Sequence, residues 1–266
     1  MLSWLTDTHL DFIQNPGVRR KFFQSLSKTG FPLCITGDIS DGKHLIRTLE
    51  EFSEATELPI YFVTGNHDYY FSSWENMRPR IEDCCRQHSN LFYLPVFGVT
   101  NLNKDTCIIG TDSWYDGRIV ANFHRTPFAL NDFNYIGELA AVEERDLPRV
   151  FQSRADAALV HLKQLCDVAV TKYKKIIILS HPIPFGRMDK TPSSLSPFYV
   201  WYDAGKYIFD FADQHPENSF LWLSGHTHNN GTFSNGNNLD CFSLGAEYGY
   251  PKIGATVNSD LTIDFV

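Results

Sequence analysis

Five short polar stretches recur along this chain, each directly after an apolar run. They are Asp7-Thr8-His9, Gly37-Asp38-Ile39-Ser40-Asp41, Gly65-Asn66-His67-Asp68, Ser180-His181-Pro182 and Gly225-His226-Thr227-His228. The runs before them, Leu2 to Leu5, Leu33 to Ile35, Ile60 to Val63, Ile176 to Leu179 and Phe220 to Leu223, read as strands. Such a chain must gather carboxylates, imidazoles and one carboxamide at the carboxyl ends of several strands. In open α/β sheets that edge is where ligands bind. Hard oxygens and imidazoles converging there suit one or two divalent cations. Five of the ten histidines fall in these stretches, which random placement would rarely produce.

At 266 residues the chain has room for one large α/β domain or a domain with a modest insertion. At this length roughly three quarters of the unfolded surface is buried, so a core needs neither disulfides nor a partner subunit. The net charge of −8 argues against a broad electrostatic grip on nucleic acid or an anionic membrane. The six cysteines, Cys34, Cys84, Cys85, Cys107, Cys166 and Cys241, show no C-x-x-C spacing. Cys34, Cys107 and Cys241 lie within expected strands and read as small buried apolar residues. Met1 runs straight into the first strand, leaving no room for a signal peptide, and no apolar run reaches the length of a membrane span. A reducing cytoplasm is the expected compartment.

The chain alternates strands with helices. Helices are expected at about 18–28, 43–55, 73–88, 151–173 and 204–212, with apolar faces such as Val18, Phe22, Leu26 and Leu45, Leu49, Phe52. Further strands are expected at Leu91 to Leu94 and Thr106 to Thr111. The strand–helix–strand rhythm of the first half implies parallel pairing with helical crossovers. The tail alternates as antiparallel strands do, at Gly231 to Phe233, Leu239 to Leu244 and Leu261 to Val266. Two stretches lack a period: an irregular, cap-like excursion around 113–150, containing Pro127 and Asn131-Asp132, and a proline-rich loop over 182–202. A single domain over 1–266 is expected.

Within the polar stretches the spacings carry chemistry. Asp7 and His9, two apart, point to one side of an extended segment and can serve one ion. Asp38 has two carboxylate oxygens and can bridge two ions. Asn66 offers a neutral oxygen, and His226 and His228 could reach different ions from one loop.

The order D-x-H, GD, GNH[DE], a lone His and GH-x-H resembles the calcineurin-like metallophosphoesterases, and the resemblance runs from Asp7 to His228. It implies an α/β fold, a four-layer αββα sandwich of two mixed sheets flanked by helices, with a dinuclear metal centre. By resemblance, Asp7, His9, Asp38 and His228 bind one metal, and Asp38, Asn66, His181 and His226 the other. The oxygen and nitrogen donors suit Mn, Fe, Zn or Co. Asp41 is followed by Gly42, and Thr64 precedes Gly65, so both arginines typical of the protein phosphatases are absent. The chain looks more like the small phosphodiesterase and nucleotidase branch.

The expected reaction is hydrolysis of small phosphate esters, of the diester or nucleotide type, by a hydroxide activated between two cations. His67 is a candidate to contact phosphate and protonate the leaving alkoxide, and by resemblance Asp41 supports it as the catalytic partner. Asp68 is read as a loop buttress. Tyr69, Tyr70, Phe71, Trp74, Trp114, Tyr115, Phe198, Tyr199, Trp201 and Tyr202 offer either stacking surfaces for a nucleobase or packing for a lid or a dimer contact. Arg118, Arg125 and Arg187 are candidate phosphate holders. The expected partner is a small-molecule phosphate ester, with no membrane and no nucleic-acid polymer. The alternatives are a nuclease acting on DNA or RNA, disfavoured by the acidic balance, and a non-catalytic scaffold, disfavoured by a complete ligand set.

Overall fold

The computed structural model describes residues 1–120, 130–190 and 196–266. In chain order the strands are β1 (Leu2–Leu5), β2 (Leu33–Thr36), β3 (Ile60–Val63), β4 (Leu91–Tyr93), β5 (Thr100–Asn103), β6 (Thr106–Gly110), β7 (Lys175–Leu179), β8 (Ser219–Ser224), β9 (Gly231–Ser234), β10 (Leu239–Ser243), β11 (Ala255–Val257) and β12 (Ile263–Phe265). The helices are α1 (Pro16–Leu26), α2 (Leu45–Ala55), α3 (Trp74–Gln87), α4 (Leu94–Phe97), α5 (Asp132–Tyr135), α6 (Gly137–Ala140), α7 (Leu147–Lys172) and α8 (Tyr202–Gln214).

The strands form two six-stranded sheets, ordered β12-β11-β1-β2-β3-β4 and β5-β6-β7-β8-β10-β9. Strands β1 to β4 pair parallel, as do β6, β7, β8 and β10. Antiparallel strands close the edges: β11 and β12 on the first sheet, β5 and β9 on the second. This is the expected pair of mixed sheets flanked by helices. The tail differs from expectation in one respect. Strand β9 forms an antiparallel hairpin with β10, but β10 lies parallel to β8. The alternating pattern of Leu239–Ser243 reports burial on one face only and does not encode the direction of a neighbour. The short strands β5 and β11 were not expected from the sequence; β5 is a half-exposed edge strand, β11 is only three residues long, and neither has a strong apolar run.

Alternate residues of each strand enter different cores. Trp4, Cys34, Tyr61, Val63, Ile108, Ile177, Leu179, Leu221 and Leu223 pack between the sheets. Their neighbours Leu5, Ile35, Phe62, Ile109, Ile178 and Trp222 pack outward against helices, meeting residues such as Phe22, Leu49, Phe52, Leu162 and Ile208. Burial on both faces explains why these strands read as unbroken apolar runs. All six cysteines are free and buried. Helix α7 begins at Leu147, earlier than expected, because Pro148 occupies the first turn, where its missing N–H is not needed. Among the described residues no helix is long and apolar enough to cross a membrane.

Of the excursion around 113–150, residues 121–129, with Arg125 and Pro127, lie outside the described residues. The remainder docks on the start of α3. Both oxygens of Glu138 accept backbone N–H bonds there, from Trp74 and Glu75, each at 3.0 Å, and Ser73 accepts from Asn76 N at 3.1 Å. These bonds satisfy donors that a helix start leaves open, and the carboxylate suits the positive end of the helix dipole.

Candidate metal centre

The turns after β1, β2, β3, β7 and β8 meet at one edge of the sandwich. The contact is close enough to require glycine. A Cβ on Gly65 would fall 2.2 Å from Asp38 Oδ1, and one on Gly225 would fall 1.9 Å from Thr6 Oγ1. The backbone is also bent out of its ordinary range. Seven non-glycine residues among those described have positive φ, and five of them are Asp7 (46°), His9 (39°), Asp38 (49°), His226 (71°) and His228 (54°). Such conformations cost of order 1–3 kcal/mol each and persist only where surrounding bonds over-determine them. Here Asp7 N donates to Gly37 O and His9 N to Asp38 O, both at 3.0 Å. Asp68, fully buried, accepts from Ile39 N, Ser40 N and Gly65 N at 2.9, 3.0 and 2.8 Å, tying the Asp38 turn to the Asn66 turn. That is the buttressing role read for it from the sequence.

All seven candidate ligands converge. His228 Nε2 stands 3.4 Å from Asp7 Oδ1 and 3.2 Å from His9 Nε2. Asp38 Oδ2 lies 3.6 Å from His9 Nε2, 3.3 Å from His181 Nε2 and 4.0 Å from His67 Nε2. Asn66 Oδ1 lies 3.1 Å from His181 Nε2. Three overlapping groups have ligand atoms within 4.8 Å of one another: Asp7, His9 and His228; His9, Asp38 and His67; and Asp38, His181 and His226. Asp38 thus stands between an Asp7 side and a His181 side.

The ring orientations are held from behind. His181 Nδ1 donates to the Thr36 carbonyl at 2.8 Å, leaving Nε2 facing Asp38. His226 Nε2 donates to the Phe198 carbonyl at 2.7 Å, leaving Nδ1 for the cluster. Metal-ligating histidines are typically oriented in this way. Asn66 Nδ2 donates to Asp132 Oδ1 at 2.8 Å, which directs the amide oxygen inward. Asp132 also accepts from Tyr70 OH and Tyr115 OH, at 2.6 and 2.9 Å.

The electrostatics fit cations. Burial opposes the charge on Asp7, but the hydrogen bond from His228 and the charge of His181 hold its carboxyl down at about 2. Burial likewise opposes Asp38, whose carboxyl is held well below the usual range by His181 and His67. Burial pushes the His9 imidazole down to about 4 and that of His226 down to about 3, so both keep a free lone pair. His181 goes the other way: against its burial, Asp38 raises it to about 9, so a proton there balances the carboxylate. His9 Nδ1 is buried with no hydrogen-bond partner. Two ionised carboxylates, the neutral imidazoles of His9 and His226 and a carboxamide oxygen form a donor set that divalent cations satisfy, and a cation would take the place of the proton on His181.

His67 lies at the open side of the cluster, its ring stacked on Tyr70 at 4.1 Å and edge-on to His9 at 4.5 Å. The expected partnership with Asp41 is not what the structure shows. Asp41 Oδ1 accepts from His44, through the backbone N–H at 2.9 Å and ring Nδ1 at 2.6 Å, and no described contact joins Asp41 to His67. Asp41 fixes the turn that leads into α2, a use of Asp that the motif spacing does not distinguish.

The aromatic residues divide. Tyr69, Tyr70, Trp114, Tyr115, Phe198 and Trp201 are buried and pack the core, whereas Phe71 and Tyr202 are exposed. Arg118 is committed to Asp156 and Asp203, at 2.6 and 3.1 Å, and is no phosphate holder here. Arg187 is exposed on the 182–202 loop. Two residues near the centre were not singled out from the sequence. Asp132 was noted only as part of an irregular stretch. Tyr248 packs its ring, tilted, against His9 and His228, at 4.4 and 4.8 Å, from a tail loop with no motif.

A family model for calcineurin-like phosphoesterases matches residues 4–230. Among curated proteins nothing matches. Among solved structures, a phosphopantetheinyl hydrolase from Mycobacterium tuberculosis is similar at 14% identity and a TM-score of 0.65, covering 93% of this chain and 89% of its own. A dimetal phosphatase from Danio rerio is similar at 13% identity and a TM-score of 0.58, covering 92% and 87%. The protein TT1561 of Thermus thermophilus is similar at 15% identity and a TM-score of 0.54, covering 92% and 88%. At these identities the structural likeness speaks for the fold.

Proposed function

Since this chain belongs to the calcineurin-like phosphoesterase family, we propose that it hydrolyses small phosphate esters at a centre holding two divalent cations. The observation that carries this reading is the Asp38 carboxylate, whose Oδ2 faces His9 on one side and His181 on the other. Asp7, His9 and His228 would hold one cation, Asn66, His181 and His226 the other, and Asp38 both. The donor set is compatible with Mn, Fe, Zn or Co. When bound, such ions neutralise phosphoryl charge and make water nucleophilic at neutral pH.

The chain's own residues supply the rest. His67 projects at the open side, its backbone N–H bonded to Asp38 Oδ1 at 2.9 Å, so the same carboxylate positions it. From there its imidazole can touch a phosphate oxygen and give a proton to the leaving alkoxide. Tyr70 holds the ring by stacking.

The rim supports a small substrate. Exposed rings flank the cluster on two sides: Phe12 and Tyr248 beside His9, with centroids 4.7 Å apart, and Phe71 with Tyr135, also 4.7 Å apart, beside Tyr70. Flat ring-bearing esters, nucleotides among them, fit such walls. A charged polymer backbone would want a basic surface, and the net charge is −8.

The test is a panel of phosphomonoesters, phosphodiesters and nucleotides assayed with added manganese, beside elemental analysis of the purified protein. Turnover of a small ester that disappears on chelation is the expected result. Cleavage of DNA or RNA with none of the small esters turned over would transfer the reading to a nuclease.

A further inference from the structure

A second cavity, of about 750 Å³, opens away from the metal-ligand cluster. It lies between the start of α3, the turn after β6 and the first half of α7, and none of the seven candidate ligands lines it. Its size suits a small organic molecule. Trp74, Pro95, Val150 and Ala158 supply apolar lining, and Arg78, Arg149 and Arg154 supply charge.

The charges in its wall are unevenly committed. Glu138 is occupied through both oxygens, which cap α3. Asp112 Oδ1 accepts from Thr64 Oγ1 at 2.9 Å and from Tyr93 OH, while Asp112 Oδ2 faces Arg78 Nη1 at 3.8 Å. On the cationic side, Arg149 is exposed and makes no hydrogen bond or ion pair among the described residues. Arg154 lies over the Trp74 ring at 4.4 Å and donates from Nη2 to Tyr69 OH at 3.0 Å. Arg154 Nε and Trp74 Nε1 are both buried without an acceptor. Buried donors left unpaired cost about 1–3 kcal/mol each, so the wall has uncommitted N–H groups and a spare positive charge at Arg149.

We propose that this cavity is an effector site for a small organic anion, one acidic group on an apolar or aromatic body. The acidic group is met by Arg149 and Arg154, and the body packs on Trp74 and Val150. Occupancy has a short route to the metal-ligand turns. The Tyr69 hydroxyl that Arg154 holds lies 2.7 Å from Thr64 Oγ1, and Thr64 directly precedes Gly65-Asn66.

Naphthalene-2-sulfonate is a suitable probe, because a sulfonate is a poor metal ligand. Its binding to the metal-loaded protein is followed by titration calorimetry, with 2-naphthalenemethanol as the uncharged control. Saturable binding of one equivalent is expected, with the neutral control much weaker. Arg149→Ala should weaken binding about tenfold, by loss of a charge-assisted hydrogen bond. Ala157→Phe, on an exposed lining position, should block it by filling space. Both variants should unfold at the wild-type temperature. Amide exchange at residues 64–70 should slow on binding. Absence of binding, equal binding of the neutral control, or binding indifferent to both variants overturns the site. Binding with unchanged exchange at 64–70 overturns its effector character. None of these readouts depends on the substrate proposed for the metal centre.

Discussion

His226 gives its Nε2 proton to the carbonyl of Phe198, at 2.7 Å. The proline-rich loop therefore decides which nitrogen of a candidate ligand faces the centre. Phe198 is itself locked by packing on Tyr115 and Phe133, with centroids at 5.4 and 5.7 Å.

Phe198→Ala should then act twice. Loss of a buried phenyl ring costs about 3–5 kcal/mol of stability. The loosened carbonyl should lower affinity for the cation on the His226 side by about 10–100-fold, the usual effect of removing such an outer hydrogen bond. Denaturant unfolding and stepwise metal titration measure the two effects. A stability loss with both metal affinities unchanged would mean that His226 does not rely on this loop.

Asp132 accepts three donors, from Asn66, Tyr70 and Tyr115. Asp132→Ala should leave the buried Tyr70 and Tyr115 hydroxyls without their acceptor, at about 1–3 kcal/mol each, and should leave the Asn66 amide only its longer 3.3 Å bond to Tyr70 OH. Metal affinity on the Asn66 side should fall about 10–100-fold. Asp132→Asn, which keeps an acceptor, should recover part of both losses. If Asp132→Ala binds metal as wild type does, the amide is oriented by something else.

What the sequence shows and hides follows from the same residues. The turns that carry the candidate ligands were legible because each ends a strand buried on both faces, where apolar runs and glycines stand out. The two-sheet architecture followed from those runs and from the resemblance they carry. Asp132 and Tyr248 were not legible, since each reaches the centre from a stretch without a period and touches it only through tertiary packing. Asp41 misled because an Asp three residues after Asp38 can as readily fix a turn as hold His67, and it pairs with His44. Most of the aromatic residues beside the motifs proved to be core, and the exposed rings at the rim come from Phe12, Phe71, Tyr135 and Tyr248.

His67 is tested by leaving group. His67→Ala should retain metal and slow an alkyl phosphate ester by about 10²–10⁴-fold, the range of general acid catalysis. The nitrophenyl ester of the same phosphate needs little protonation and should slow much less. Equal slowing of both would assign His67 to phosphate binding, and loss of metal would place it among the ligands. Asp41→Asn should leave both rates unchanged, because its carboxylate serves His44.

The most direct measurement is the number of cations bound per chain in Asp38→Asn and His228→Ala, by titration calorimetry with elemental analysis. Wild type should bind two. His228→Ala should weaken one and spare the other, since His228 Nε2 stands beside Asp7 and His9. Asp38→Asn should weaken both together, because Oδ2 of Asp38 faces histidines of both sides. Two cations bound at wild-type affinity in Asp38→Asn, or a single cation in wild type, would contradict a shared two-metal centre.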